Sequence, residues 1–323
     1  MVTIVKSPKD FTPISEGLVF EVQSDVKTDF MVDIIDARTE EVVGSKFISG
    51  VEGAVVDIAP YVEAQQFTLP KVGRGSLISD VPPSLYYIVV DTLEDRVVSE
   101  SVRVSNNLVH YGQDALQTIM PQSRVIGYGE RDELRIVVPT GSSVWVDMTT
   151  DIGEVITLDM DCCGGVAQLQ IDTTDFNWLT KSITVRIEVD GQLLAAVGYS
   201  IVPRYSGAVR VGWIGPFGGA EYYTFPITVS KSVVCERTKL YMHRVEGDIV
   251  SNKSFERLSL RSQALTESMA EALATILTAP KVWIDGDEVV EAQLTDNQVV
   301  TKSFGEAAVV EIVLNYGGKE VVL

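Results

Sequence analysis

Residues 258–284, LSLRSQALTESMAEALATILTAPKVWI, decide the fold because they hold the clearest helical pattern of the chain. Thr266 is the expected N-cap, and Glu267 places a carboxylate in the first turn, where it suits the helix dipole. Pro280 forbids continuation, and residues 281–284 read as a strand. The apolar residues at helical spacing predict one buried stripe, namely Leu265, Met269, Leu273, Ile276 and Leu277. We therefore expect one helix, closing one face of a sheet.

Short apolar segments between turn residues indicate β-strands in almost all of the remaining chain. Residues 55–61 predict a strand that Pro60 ends, residues 65–81 read as a long loop, and Asp190–Gly191 predicts a hairpin turn. The sequence predicts a mainly β protein with tandem Ig-like β-sandwich domains at 1–108 and 109–203. A C-terminal β domain at 204–323 carries the helix at about 266–277.

Composition narrows the classes of function. The 323 residues carry a net charge of −19, which disfavours binding to nucleic acid or to an anionic membrane surface. No apolar run is long enough to cross a bilayer, and the first residues do not resemble a secretory leader. Three cysteines are too few for a disulfide framework, so we expect reduced thiols in a protein made in a cytosol.

The sequence offers no convincing catalytic constellation. The two histidines, His110 and His243, have no partners at metal-ligand spacing. Asp159 and Asp161 before Cys162–Cys163 resemble an acidic metal loop only faintly, and a solvated hairpin tip is the preferred interpretation. The glycines at 215–219 lack the residues of a phosphate loop and favour a tight turn. We therefore predict no enzymatic activity, no cofactor and no metal.

One motif gives a more specific interpretation. Residues 213–225, WIGPFGGAEYYTF, are followed by VSK at 229–231, by LTAPKVWI at 277–284 and by LTD at 294–296. With FTP at 11–13, FEVQSD at 20–25 and VDIAPY at 56–61, this pattern resembles tail and neck virion structural proteins of tailed phages and prophages of gut Bacteroidota, including crAss-like phages. The chain has Ala220–Glu221 where that family more usually has a Trp-Asp pair.

The resemblance implies a virion component, in a tail, neck or ring assembly, that acts through protein–protein interfaces. It implies assembly in the host cytoplasm, other virion proteins as partners and, since closed symmetry is the default for homo-oligomers, a homo-oligomeric ring. We expect contacts at or near the loop at 73–81 and the segment at 215–223. The candidate interface residues are Trp213, Phe217, Tyr222, Tyr223 and Arg74.

Two other classes of function stay open. The aromatic residues at 213, 217, 222, 223 and 225 could form a sugar platform, which would make the chain a carbohydrate-binding or receptor-binding tail or adhesin module with a host glycan as partner. The abundance of carboxylates leaves a hydrolase, such as a polysaccharide depolymerase, as the third alternative.

Overall fold

A computed structural model describes residues 1–9, 12–66, 69–70, 73–81, 84–105, 116–139, 141–163, 165–240, 248–295, 300–304 and 307–322. These residues form a mainly β protein built from packed sheets, as the sequence predicts. His110 and His243 lie outside the described residues. In the described part of the chain, no helix combines the length and the apolar character needed to cross a membrane.

The first sheet has seven strands and encloses a core that includes Phe20, Phe30 and Ile34. Its long central strand runs antiparallel to its neighbours on both sides. The strands are β1 (Val2–Lys6), β2 (Thr12–Pro13), β3 (Val19–Asp36), β4 (Glu41–Asp57), β6 (Ser84–Asp91), β7 (Arg96–Val98) and β8 (Val102–Ser105). A 3-10 turn, Ile14–Glu16, precedes β3.

A second helix, α1 (Ala59–Gln66), follows β4, so the prediction of a strand through residue 61 is wrong. The strand ends at Asp57, whose Oδ1 accepts hydrogen bonds from the backbone amides of Leu18 at 2.8 Å and Ala59 at 3.0 Å. Pro60 stands in the first turn of α1, where its missing N–H would have no intrahelical partner in any case. The proline therefore helps to begin a helix here.

Two sheets form the second sandwich, and they enclose a core with Leu134, Val146, Leu169 and Val185. One sheet has five strands and the other has three. The five are β9 (Ser123–Gly127), β11 (Ser142–Thr150), β12 (Val155–Cys162), β14 (Ser182–Val189) and β15 (Gln192–Val202). The three are β5 (Leu77–Asp80), β10 (Arg131–Val137) and β13 (Val166–Asp172).

Strand β5 corrects the loop predicted at 65–81, because Leu77–Asp80 pairs antiparallel with residues 167–170 of β13. The segment thus joins the second sandwich, although it precedes β6 of the first sheet in sequence. The turn at Asp190–Gly191 is as predicted: both residues have positive φ, 50° and 77°, as a type I′ hairpin requires. The domain boundaries near 108 and 203 stay predictions.

The last sheet has eight strands and carries α2 (Glu267–Ala274) on one face. Residues Ala270, Leu273 and Ile276 pack with Val211 and the other apolar side chains of that face, as expected from the sequence. The strands are β16 (Val209–Ile214), β17 (Ala220–Phe225), β18 (Ile227–Leu240), β19 (Asp248–Arg261), β20 (Val282–Asp285), β21 (Val289–Leu294), β22 (Val300–Phe304) and β23 (Ala307–Val322).

Helix α2 begins as predicted, because the Thr266 hydroxyl accepts a hydrogen bond from the Met269 amide at 3.4 Å. The helix is shorter than predicted. It passes into a 3-10 turn at Thr275–Thr278, which leaves Leu277 outside the buried stripe, with 38% of its surface exposed. The tighter turn rotates Leu277 away from the face that Ile276 buries.

Candidate functional site

A cluster of buried charged side chains lies where β10 of the second sandwich meets the last sheet. Arg124 Nη1 donates to Asp132 Oδ2 at 2.8 Å, and the Tyr199 hydroxyl donates to the same oxygen at 2.9 Å. All three side chains are buried. Burial alone would lower the pKa of Arg124, but Tyr199, Asp132 and Glu221 beside it raise that pKa above its ordinary value, so Arg124 stays charged.

Arg210 of β16 reaches across to the second sandwich. Its Nη1 lies 3.1 Å from Glu130 Oε2, and its Nη2 donates to the Arg131 carbonyl. The guanidinium also stands 5.0 Å from the centre of the Tyr222 ring, a cation–π arrangement. Arg210 Nε and Asp285 Oδ2 are 3.8 Å apart. One buried cation thus joins groups from two sheets.

Arg131 and Asp285 form the shortest ion pair between the two sheets, with Nη2 and Oδ1 2.6 Å apart. Both side chains are less than 10% exposed. Burial acts to lower the pKa of Arg131, but the hydrogen bond that Arg131 donates to the Asp285 carboxylate and the charge of that carboxylate raise the pKa. Because a charge that is buried among protein atoms is costly when unpaired, these pairs fix how the two sheets meet.

Glu221 of β17 is buried beside this cluster. Its carboxylate accepts hydrogen bonds from the Thr118 hydroxyl at 2.9 Å and from the Ile119 amide at 3.3 Å, and it lies 4.0 Å from Arg124 Nη1. Burial raises the pKa of Glu221 to about 7, and the opposing influence of Arg124 is smaller. Its charge therefore changes near neutral pH.

Three of the five candidate interface residues are core side chains. Trp213 is fully buried and its Nε1 donates to the Thr275 hydroxyl at 3.2 Å, while Tyr223 packs in the same core. Tyr222 packs edge-on against Trp283, with ring centres 5.7 Å apart, and its hydroxyl donates to Glu133 Oε1 at 3.1 Å. An outer contact or a sugar platform needs exposed rings, and these three are buried, so the sequence interpretation of them is corrected.

The other two candidates keep exposed surface. Phe217 is partly exposed in the turn between β16 and β17, and its carbonyl accepts a hydrogen bond from Arg135 Nη1 at 3.2 Å. That turn is as tight as its glycines predict, with Gly218 at φ +72°. Arg74 is exposed. A role for Phe217 and Arg74 at an interface stays a prediction.

Arg74 stands at a cleft of about 590 Å³ that opens over the charge cluster. Arg131 and Arg210 also line the cleft, and so does Arg204, which follows β15. A cavity of this size lies within the range of roughly 300–1,000 Å³ that is typical of ligand sites. No pattern in the sequence predicts this cleft, because the arginines that line it are spread over more than a hundred residues of chain.

The acidic segment at 159–163 is not a hairpin tip, because β12 continues through it to Cys162. The Cys162 side chain is buried and that of Cys163 is exposed. Within the described residues, no group of three or more His, Cys, Asp or Glu side chains is placed to hold a metal ion. The absence of metal and cofactor stays a prediction.

Comparisons with known proteins give little support for an identity. No family model and no curated protein matches the chain. Among solved structures, it is similar to Escherichia coli alpha-2-macroglobulin, at 7% identity over 100% of this chain and 20% of that chain, with a TM-score of 0.23. A chain from the complex of Dpr2 Ig1-Ig2 with DIP-Theta Ig1-Ig3 matches at 8% identity, 98% and 89% coverage and a TM-score of 0.24.

The FN1-FN3 domains of chicken CNTN1 match at 10% identity, with coverage of 80% of this chain and 91% of that chain and a TM-score of 0.22. The last two structures contain Ig domains and FN domains, respectively. Scores this low carry no argument about function or relationship, so the fold class depends on the strands of the chain itself.

Proposed function

We propose that this protein is a structural component of a tailed-phage virion, in the tail, the neck or a ring, and that it works through protein–protein interfaces. Its partners are further copies of itself, arranged as a ring, and other virion proteins. Assembly takes place in the host cytoplasm. The motif at 213–225 and the segments around it suggest the class of protein, and the exposed sheet edges described next support the mode of action.

The observation that carries the proposal is the long open edge of the first sheet. Strand β4 pairs with β3 along one side, and no described strand pairs with its other side over 17 residues. Val42, Phe47 and Val55 on this strand expose 56%, 61% and 62% of their surfaces. Natural proteins protect such an edge with prolines, lysines or β-bulges. Strand β4 has no proline and one lysine, Lys46, and its pairing with β3 shifts register at three places.

Strand β18 forms a second open edge, at the end of the eight-stranded sheet, over 14 residues. Val229 and Val233 expose 49% and 71% of their surfaces there. An unpaired edge offers a row of backbone donors and acceptors to a strand of another chain. Two such edges on opposite parts of one chain suit a subunit that contacts more than one neighbour.

The buried ion pairs support the same function because they make the junction between the second sandwich and the last sheet rigid. Arg131–Asp285 and Arg210–Glu130 cross between the second sandwich and the last sheet. Because separating the sheets would expose apolar surface and break these pairs, the two parts resist relative movement. A rigid junction holds the β18 edge at a fixed angle to the second sandwich, and a closed ring requires such fixed geometry.

Carbohydrate binding is the second candidate, and one observation keeps it in consideration. Trp178 exposes 74% of its surface, although hydrogen bonds hold its loop: Asp151 Oδ1 accepts from Lys181 N at 3.0 Å, and Glu154 Oε2 accepts from Asn177 N at 3.1 Å. An exposed ring on an anchored loop is the kind of residue that stacks on a sugar. Glycan-array binding that Trp178→Ala abolishes would favour this candidate.

Mass spectrometry of purified virions tests the proposal directly. The virion interpretation predicts that peptides of this chain co-purify with particles at a constant ratio to the capsid protein through successive density gradients. A chain that appears only in the soluble fraction of infected or induced cells would contradict it. A chain that is absent from particles and binds glycans would favour carbohydrate binding as the function.

A further inference from the structure

The cleft of about 590 Å³ beside the charge cluster is the strongest candidate for a ligand site that the proposed function does not include. Its floor contains Arg131 and Arg210, which are buried, and its rim contains Arg74 and Arg204, which are exposed. Four guanidinium groups line the cleft together with the four carboxylates of Glu130, Asp172, Asp285 and Asp287, so its formal charges balance, whereas the whole chain carries a net charge of −19.

The segment that carries Arg74 is held firmly against β13. Gly75 N donates to Asp172 Oδ2 at 3.0 Å, and Gln170 Nε2 donates to the Gly75 carbonyl at 2.7 Å. The Ser76 amide donates to the Asp175 carboxylate as well. These contacts fix the backbone directly after Arg74, which limits where its guanidinium can lie at the rim.

Some of the charged side chains around the cleft have partners within the protein, and others have none among the described residues. Arg131 and Arg210 pair with Asp285 and Glu130. The Asp172 carboxylate is occupied by hydrogen bonds, which come from Gly75 and from the amide and hydroxyl of Thr174.

The charged side chains without an ion-pair partner lie at the rim. Within the described part of the chain, no ion pair engages Arg74, Arg204 or the exposed Asp287. The rim therefore presents two free cations and one free anion. Arg210 Nε adds a buried donor that has no hydrogen-bond partner among the described residues.

We propose that this cleft binds an acidic peptide segment, with a carboxylate held by Arg74 and Arg204. Guanidinium groups recognise planar carboxylates with paired hydrogen bonds, which makes arginine the suitable residue type. Asp287 accepts from backbone amides or from a basic group of the same segment. Inorganic phosphate, which guanidinium groups also bind, is the alternative ligand that the test below separates from the peptide.

Isothermal titration calorimetry of the full-length protein tests the site with three probes. These are the blocked tripeptide acetyl-Glu-Gly-Glu-amide, its counterpart acetyl-Gln-Gly-Gln-amide and inorganic phosphate. We expect saturable binding of the acidic peptide alone. The double variant Arg74→Gln/Arg204→Gln weakens it by about tenfold or more, because it removes the charge-assisted hydrogen bonds to the peptide carboxylate.

Arg186→Gln is the matched control, since Arg186 is an exposed arginine on the outer face of the second sandwich, with 53% of its side chain accessible. It leaves the affinity unchanged. Equal binding by the wild type and the double variant, binding of the neutral peptide with the same affinity, or saturable binding of phosphate in place of the peptide would each overturn the assignment. The site does not depend on the virion proposal, because peptide binding by the isolated chain and presence in particles are measured separately.

Discussion

Arg131 and Asp285 are 154 residues apart in sequence, yet their side chains meet at 2.6 Å in the interior. The pair joins β10 of the second sandwich to β20 of the last sheet. Removing one partner of a buried ion pair leaves the other charge without compensation. The pair is therefore the point at which a single substitution should loosen the junction.

Asp285→Asn should lower the free energy of unfolding by roughly 3 kcal/mol, near the low end of the range for breaking a buried pair, because the amide still accepts one hydrogen bond. Urea denaturation followed by tryptophan fluorescence measures the change. Glu21→Ala is the control, since its partner Lys6 is 61% exposed and such surface pairs contribute about 0–1 kcal/mol. Equal effects of the two substitutions would contradict the structural role of the junction.

Gly212→Ala should destabilise the last sheet. A Cβ atom at Gly212 would stand 2.4 Å from the indole of Trp283, whose ring is fully buried and cannot retreat. Overpacking of this kind costs about 1–3 kcal/mol. Gly318→Ala is the comparison, because no atom lies within 4 Å of the position that its Cβ would take. Thermal unfolding that gives the same midpoint for Gly212→Ala and wild type would refute this packing.

Stability should fall as the pH rises from about 4.5 to about 7. Burial raises the pKa of Glu221 from its ordinary value of 4.5 to about 7, so the folded chain holds a proton that the unfolded chain has released. A group with more protons bound in the folded state contributes stability at low pH and loses it as the pH rises. Burial raises the pKa of Glu133 as well, which adds to the same slope.

Glu221→Gln should flatten this dependence, because the amide does not titrate. Urea midpoints at several pH values between 4.5 and 8 measure the slope for the wild type and the variant. Part of the slope remains in the variant because Glu133 is unchanged. A variant with the full wild-type slope would show that the pKa of Glu221 does not differ between the folded and unfolded states.

Thr266→Ala should cost roughly 0.5–2 kcal/mol, because the Thr266 hydroxyl caps α2 through the Met269 amide. Glu271→Ala, at an exposed position of the same helix, serves as the control for a change that leaves the cap intact. Hydrogen exchange of the first-turn amides should accelerate in Thr266→Ala alone. Unchanged protection would mean that packing on Leu273 and Ile276 holds the helix without the cap.

Local patterns in the sequence predict those features that depend on neighbouring residues. The N-cap at Thr266 and the hairpin turn at Asp190–Gly191 are confirmed, because the residues that determine each lie within a few positions of one another. The mainly β fold class is confirmed in the same way, from short apolar strands and their turns. Pro60 shows the limit of the method, because a proline can end a strand or begin a helix and the residues beside it do not decide which.

Features that depend on distant partners could not be predicted. The segment Leu77–Asp80 is a strand only because β13, about ninety residues later, supplies its hydrogen bonds. The sequence does not show whether the aromatic residues Trp213 and Tyr222 lie at an interface or in a core, because their burial depends on the rest of the last sheet. The ion pairs of Arg131 and Arg210 are invisible among the many charged residues of so acidic a chain, since each joins groups at least 75 residues apart.

Mass photometry of the full-length chain at low and physiological salt tests the central claim, namely assembly through exposed sheet edges. We expect a discrete oligomer for the wild type, and a shift towards monomer for Phe47→Glu, which places a charge on the open edge of β4. Leu93→Glu, at a turn residue that is 94% exposed, should assemble as the wild type does. A monomer at every concentration and salt, or an oligomer that Phe47→Glu leaves intact, would contradict assembly through this edge.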